Sequence, residues 1–155
     1  MIRVMFICHG NICRSTMAES VFADMVKKRG RERDFVIGSA ATSTEEIGNP
    51  PHYGTVRKLE EKGIALVPHR AVRLRKADFE KYDFFIGMDG ANLRNMEKIL
   101  GGKSGKIRAL LSFAGESGEI ADPWYTGDFE ATYRDVIRGL EGFWDFLERE
   151  MPKPR

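Results

Sequence analysis

The sequence predicts one α/β domain, a parallel sheet covered by helices on both faces. Three observations point there. Val4-Met5-Phe6-Ile7, Phe35-Val36-Ile37 and Phe84-Phe85-Ile86 are short apolar runs without in–out alternation, the pattern of strands buried on both sides. Segments of helical periodicity separate them, which implies right-handed βαβ crossovers. The chain has 155 residues, 42% of them apolar, enough for one core and too few for two.

Val4–Ile7 reads as the first strand, and Ser15 to Lys28 as a helix with Met17, Val21, Phe22 and Met25 on one face. Thr16 and Glu19 have capping-box spacing at its start. Phe35–Ile37 is the second strand, followed by a turn-rich loop from Ser39 to Pro51. A helix from about His52 to Lys62 stops at Gly63, with His52 expected on a solvated face. Ile64 to Val67 is short and ambiguous. Phe84–Ile86 leads into a helix around Asn92 to Leu100 that ends at Gly101-Gly102, and Ile107 to Leu111 is the fourth strand. After a loop holding Asp122-Pro123-Trp124-Tyr125, a long helix repeats Phe129, Tyr133, Val136, Leu140, Phe143 and Leu147.

Composition removes several function classes. Lys plus Arg number 25 and Asp plus Glu 23, a net charge of +2 without a basic run, so nucleic acid is not an expected partner. The longest apolar stretch, Val4 to Cys8, is too short for a bilayer, and Gly10, Asn11 and Arg14 interrupt any signal-peptide h-region. No membrane partner is expected, and the cytoplasm is the expected location. Two cysteines, Cys8 and Cys13, are too few for a disulfide scaffold and lack C-x2-C zinc spacing. Arg14 beside them opposes a divalent cation, so neither metal nor cofactor is expected.

The segment Cys8-His9-Gly10-Asn11-Ile12-Cys13-Arg14-Ser15 joins the first strand to the first helix. Backbone N–H groups at a helix N-terminus form a ready anion site. Gly10 and Asn11 tolerate the left-handed backbone that a loop curling round an oxyanion needs. Arg14 can grip two phosphate oxygens with its planar fork. Cys8 faces the same donors, which favour its thiolate. The G-x-x-x-x-G-K-[ST] pattern of nucleotide loops is missing.

These residues resemble the signature C-x-G-N-x-C-R-S of the low-molecular-weight protein tyrosine phosphatases. Met17-Ala18-Glu19, Ser39, Ile47-Gly48-Asn49-Pro50-Pro51, His69-Arg70-Ala71, Met88-Asp89 with Asn92, and Asp122-Pro123 extend the resemblance over nearly the whole chain. Thr16 stands where many members have proline, and Ala41 where glycine is usual. The resemblance implies one domain over 1–155, a three-layer sandwich with strand order 2-1-3-4. It implies metal-independent hydrolysis of phosphotyrosine in proteins or peptides, by a monomer or weak dimer.

By that resemblance, Cys8 is the nucleophile, Arg14 and the loop amides hold phosphate, and Asp122 is general acid and then base. Ser15 resembles the hydroxyl donor to Cys8. Asn11, Ser39 and His69 resemble a hydrogen-bonded support beneath the loop. His9 falls at the cleft mouth and Ile12 on its apolar lining. Trp124 and Tyr125 form an aromatic wall, with Glu45 where relatives place an aromatic residue opposite. Cys13 has no catalytic task but is implied as a disulfide partner for Cys8 under oxidation. Arsenate reductases share this loop but relay through further cysteines, which are lacking here. Arginine phosphatases typically have threonine at the position of Ile12. A phosphocarrier has no use for the acid Asp122.

Overall fold

The computed structural model describes residues 1–150; the last five positions of the expected 1–155 domain lie outside the described residues. Four parallel strands, β1 (Ile2–Cys8), β2 (Phe35–Ala41), β3 (Phe84–Gly87) and β4 (Ile107–Ala109), form one sheet of order β2-β1-β3-β4. The helices are α1 (Arg14–Lys28), α2 (Tyr53–Glu61), α3 (Gly90–Leu100), the single turn α4 (Pro123–Thr126) and α5 (Phe129–Glu150).

The apolar run of β1 is unbroken because the strand is buried on both sides. Ile2, Val4, Phe6 and Cys8 face α1 and α5, where they meet Phe22, Phe143 and Leu140. Met5 and Ile7 face the opposite layer, with Phe85, Met96 and Leu100. Cys8 thus ends a central strand with its sulfur on the α1 side, and α1 begins six residues later. A parallel sheet binds ligands at the carboxyl ends of its strands, where this junction lies. The ends of β2 and β3 are nearby, since Cys8 is paired with Ala41 and Ile7 with Gly87.

Several local expectations are corrected. β2 runs to Ala41, so the start of the expected Ser39–Pro51 loop is strand. Ala41 sits there without positive φ, and its N–H donates to the Val72 carbonyl (2.7 Å), so the missing glycine leaves no strain. The fourth strand stops at Ala109, because Leu110–Ala114 turns into a 3-10 helix under α5. The capping box at Thr16 and Glu19 does not form. Cys13 is the N-cap of α1, Thr16 Oγ1 donates to the Cys13 carbonyl (3.2 Å), and Glu19 turns inward. Asp89 caps α3, which starts two residues earlier than periodicity alone placed it. Among the described residues no helix is long and apolar enough to cross a membrane.

Candidate active site

The loop from His9 to Cys13 curls around Cys8. Its one non-glycine left-handed residue is Asn11 (φ +60°), a residue type that pays little for that conformation. The Asn11 side chain is bonded on all sides. Val72 N–H donates to Oδ1 (3.1 Å), which identifies that atom as the acceptor, and His69 Nε2 donates to it as well (2.6 Å). Nδ2 donates to Ser15 Oγ (2.8 Å) and to Ser39 Oγ (3.0 Å).

Both hydroxyls accept from Asn11 and are free to donate onward. Ser39 donates to Glu19 Oε1 (2.6 Å). Ser15 Oγ lies 3.0 Å from Cys8 Sγ, and the Asn11 backbone N–H donates to the same sulfur (3.3 Å). Two donors therefore converge on Cys8, an arrangement that suits an anionic sulfur. Burial pushes the Glu19 carboxyl up to about 7 against the lowering effect of its bond from Ser39. Burial also lowers His69, so its neutral form, with the proton on Nε2, is favoured.

Arg14, at the start of α1, is 2% exposed. Nη1 donates to Asp89 Oδ2 (2.7 Å) and to the Ile120 carbonyl (2.9 Å), and Nη2 to Asp122 Oδ2 (3.4 Å). Its Nε is buried without a partner, an orphan donor that an incoming oxyanion can satisfy. The neighbouring charges Cys8, Asp89 and Asp122 raise its pKa against burial, which is the largest single effect. Asp122 caps α4 through Trp124 N–H (3.1 Å), and Pro123 occupies the first helical position.

Cys8, His9, Gly10, Ile12, Cys13, Glu45, Glu46, Asp122, Trp124 and Tyr125 enclose a cleft of about 90 Å³. Trp124 and Tyr125 are exposed, as a wall would be, and Glu45 holds His9 Nε2 at 2.8 Å. Ser15, Ser39, His69 and Asn11 lie behind it as the support. Cys13 is buried, and burial, with Cys8 and Asp122 nearby, pushes its thiol up to about 12. Both cysteines are free thiols. No group of three or more metal-ligating side chains occurs among the described residues.

Three contributors escaped the sequence reading. Asp89 clamps Arg14; its position just beyond β3, at a helix N-cap, was the available signal. Glu19 anchors the support from below, and its helix-start position disguised it as a cap. His52 is no solvated surface residue: it caps α2, its Nδ1 accepting from Gly54 N–H (3.0 Å), and stacks on Phe129 (5.2 Å, 20°). A Cβ at Gly54 would run into the Phe129 ring, so only glycine permits this stack.

A cysteine at the C-terminal end of a central parallel strand, inside a backbone loop with a buried arginine and a neighbouring carboxylate, gives an α/β protein with a thiol set in a candidate anion site. The family model described as "Low molecular weight phosphotyrosine protein phosphatase" matches residues 3–153. The chain is 36% identical over 153 residues to low molecular weight protein-tyrosine-phosphatase YfkJ of Bacillus subtilis, covering 97% of this chain and 98% of the relative. The crystal structure of YfkJ superposes with a TM-score of 0.93 at 35% identity over 98% of each chain. The low molecular weight phosphotyrosine protein phosphatase of Gallus gallus is 37% identical over 150 residues, 90% of this chain and 92% of that one. The chain belongs to the low molecular weight protein tyrosine phosphatase family.

Proposed function

We propose that the protein hydrolyses phosphotyrosine in proteins or peptides, and small aryl phosphates, through a phosphocysteine intermediate. One observation carries this reading: Cys8 and Asp122 line one narrow cleft, and the buried Arg14, whose Nε has no partner, donates to the Asp122 carboxylate.

In the first step the Cys8 thiolate attacks phosphorus and forms an S–P bond. The P–O bond to the phenol breaks, and Asp122 gives its proton to the departing oxygen. Arg14 and the loop N–H groups hold the three non-bridging oxygens as charge develops. Asp122, now a carboxylate, takes a proton from water, whose oxygen attacks phosphorus. The S–P bond breaks, inorganic phosphate leaves, and the thiolate returns with Ser15 and Asn11 N–H donating to it. Asp89 keeps Arg14 in place. Cys13 stays a neutral thiol and competes for no step.

Ile12 and Trp124 favour a flat ring in the slot, and serine phosphate is too short to reach Cys8 from the mouth. The apolar Ile12 also supports a phenyl over a guanidinium. A cytoplasmic setting belongs to this reading, because a free nucleophilic thiol needs a reducing compartment. So does action as a monomer or weak dimer.

The test is steady-state hydrolysis of phosphotyrosine, phosphoserine and phosphoarginine peptides in the presence of a chelator. Turnover of phosphotyrosine above the other two is expected. A dominant phosphoarginine rate would move the assignment to arginine phosphatase. Cys8→Ser should lose turnover yet retain vanadate binding, since the cradle and Arg14 persist; appreciable turnover would show that another group attacks.

A further inference from the structure

Beyond the aromatic wall lies a second, larger groove of about 510 Å³, lined by His52, Tyr53, Arg57, Phe129 and Trp124 among others. Trp124 lines both cavities and is the ridge between them. The groove floor is a preformed aromatic stack: His52 lies against Tyr53 (4.7 Å, 28°) and Phe129 (5.2 Å, 20°), and meets Trp124 edge-on (5.6 Å, 81°). Tyr53 and Trp124 are 70% and 55% exposed, an uncovered aromatic surface of the kind that marks binding.

The charges of the two cavities differ. Glu45 and Glu46 line the cleft and not the groove. Within the groove, Lys58 pairs with Glu61 (2.7 Å) and Glu130 (3.0 Å), and Lys62 also reaches Glu130 (3.3 Å). Asp128 is engaged in capping α5 through Ala131 N–H (2.9 Å). Arg57, exposed on α2, forms no ion pair among the described residues. The mouth is therefore polarised, acidic before the Trp124 ridge and with a free cation beyond it.

We propose that this groove is a specificity subsite for the polypeptide flanking the phosphotyrosine, and that it makes peptide binding directional. An aromatic or long aliphatic side chain lies on the His52–Tyr53 stack, a carboxylate beyond it meets Arg57, and a basic residue on the other side of the phosphotyrosine meets Glu45. The inference rests on the phosphatase reading and goes beyond it.

The experiment compares two phosphotyrosine peptides of identical composition, one with Arg before and Phe-Glu after the phosphotyrosine, the other with that order reversed. A peptide with alanine flanks and a small aryl phosphate complete the set. Wild-type protein is expected to prefer one orientation in kcat/KM by about two- to fivefold, the range of exposed charge pairs. The ratio between orientations should fall with added salt and shrink toward one in Arg57→Gln. Tyr53→Ala should lose the advantage of the Phe-containing peptide over the alanine-flanked one. Equal rates for the two orientations, or a preference untouched by Arg57→Gln, would overturn the subsite while leaving the phosphatase intact. Failure of the wild type on the small aryl phosphate would instead remove the phosphatase reading and this one with it.

Discussion

Asp122 does two things with one carboxylate. Oδ1 accepts from Trp124 N–H and caps α4, while Oδ2 faces Arg14 and the cleft. Asparagine is an equally good N-cap, so Asp122→Asn removes the proposed proton donor and spares the turn. Turnover should fall by about two to four decades for leaving groups that need a proton. The loss should shrink for substrates whose phenolate leaves unaided. Equal losses across a leaving-group series, read as kcat against phenol acidity, would mark Asp122 as structural. Arg14 illustrates the same economy: two carboxylates and a carbonyl take three of its five N–H donors, which leaves Nε and one N–H of Nη2 for substrate.

At the scale of elements, one hydrogen-bonded chain joins α1, β2 and the phosphate loop: Glu19, Ser39, Asn11, Ser15, Cys8. Together with His69 and the Val72 N–H it holds Asn11 in its left-handed conformation from four directions. Glu19 costs stability when ionised, because burial raises its folded value to about 7 from the ordinary 4.5. A raised carboxyl contributes stability that is present below about pH 4.5 and is lost as pH rises through about 7. His69 acts oppositely: its folded value is depressed, so its contribution is present above its ordinary pKa and lost as pH falls. Glu19→Gln removes the first effect alone. The variant should gain on wild type between pH 4.5 and 7 by up to on the order of 3 kcal/mol, read from denaturant unfolding at each pH. A constant difference across that window would mean that Glu19 does not change its charge there.

For the molecule as a whole, α5 closes the layer over the sheet and presses on the 3-10 turn at Leu110–Ala114. Contact is close enough that a Cβ at Gly142 would run into the Phe113 carbonyl oxygen. Two rings of that turn's layer, Phe113 and Phe143, lie 4.8 Å apart. Gly142→Ala must push helix and turn apart, an overpacking cost of about 1–3 kcal/mol that outweighs alanine's better helix propensity. Thermal unfolding should show the lower stability, with kcat/KM on an aryl phosphate unaltered at temperatures where the variant is folded. A more stable Gly142→Ala would show that the two elements separate freely.

The parts legible in the sequence are those encoded by short spacing. Burial of β1 on both faces makes Val4 to Cys8 uniformly apolar, and the anion cradle is contiguous from Cys8 to Ser15, so both could be read directly. The fold class, the strand order and the residues Cys8, Arg14 and Asp122 followed from such patterns together with the family resemblance. Pairings between distant segments carry no local signature. Arg14 meets Asp89 across 75 positions, Asn11 meets His69 across 58, and His52 stacks on a ring from α5. Glu19 looked like a helix cap because its spacing to Thr16 fits one; only packing of α1 on β2 turned it toward Ser39. The groove behind Trp124 exists only because α2 and the α4–α5 turn come together. Periodicity and turn chemistry determine what a segment can become, whereas which side chains then meet is decided by burial of the shared core.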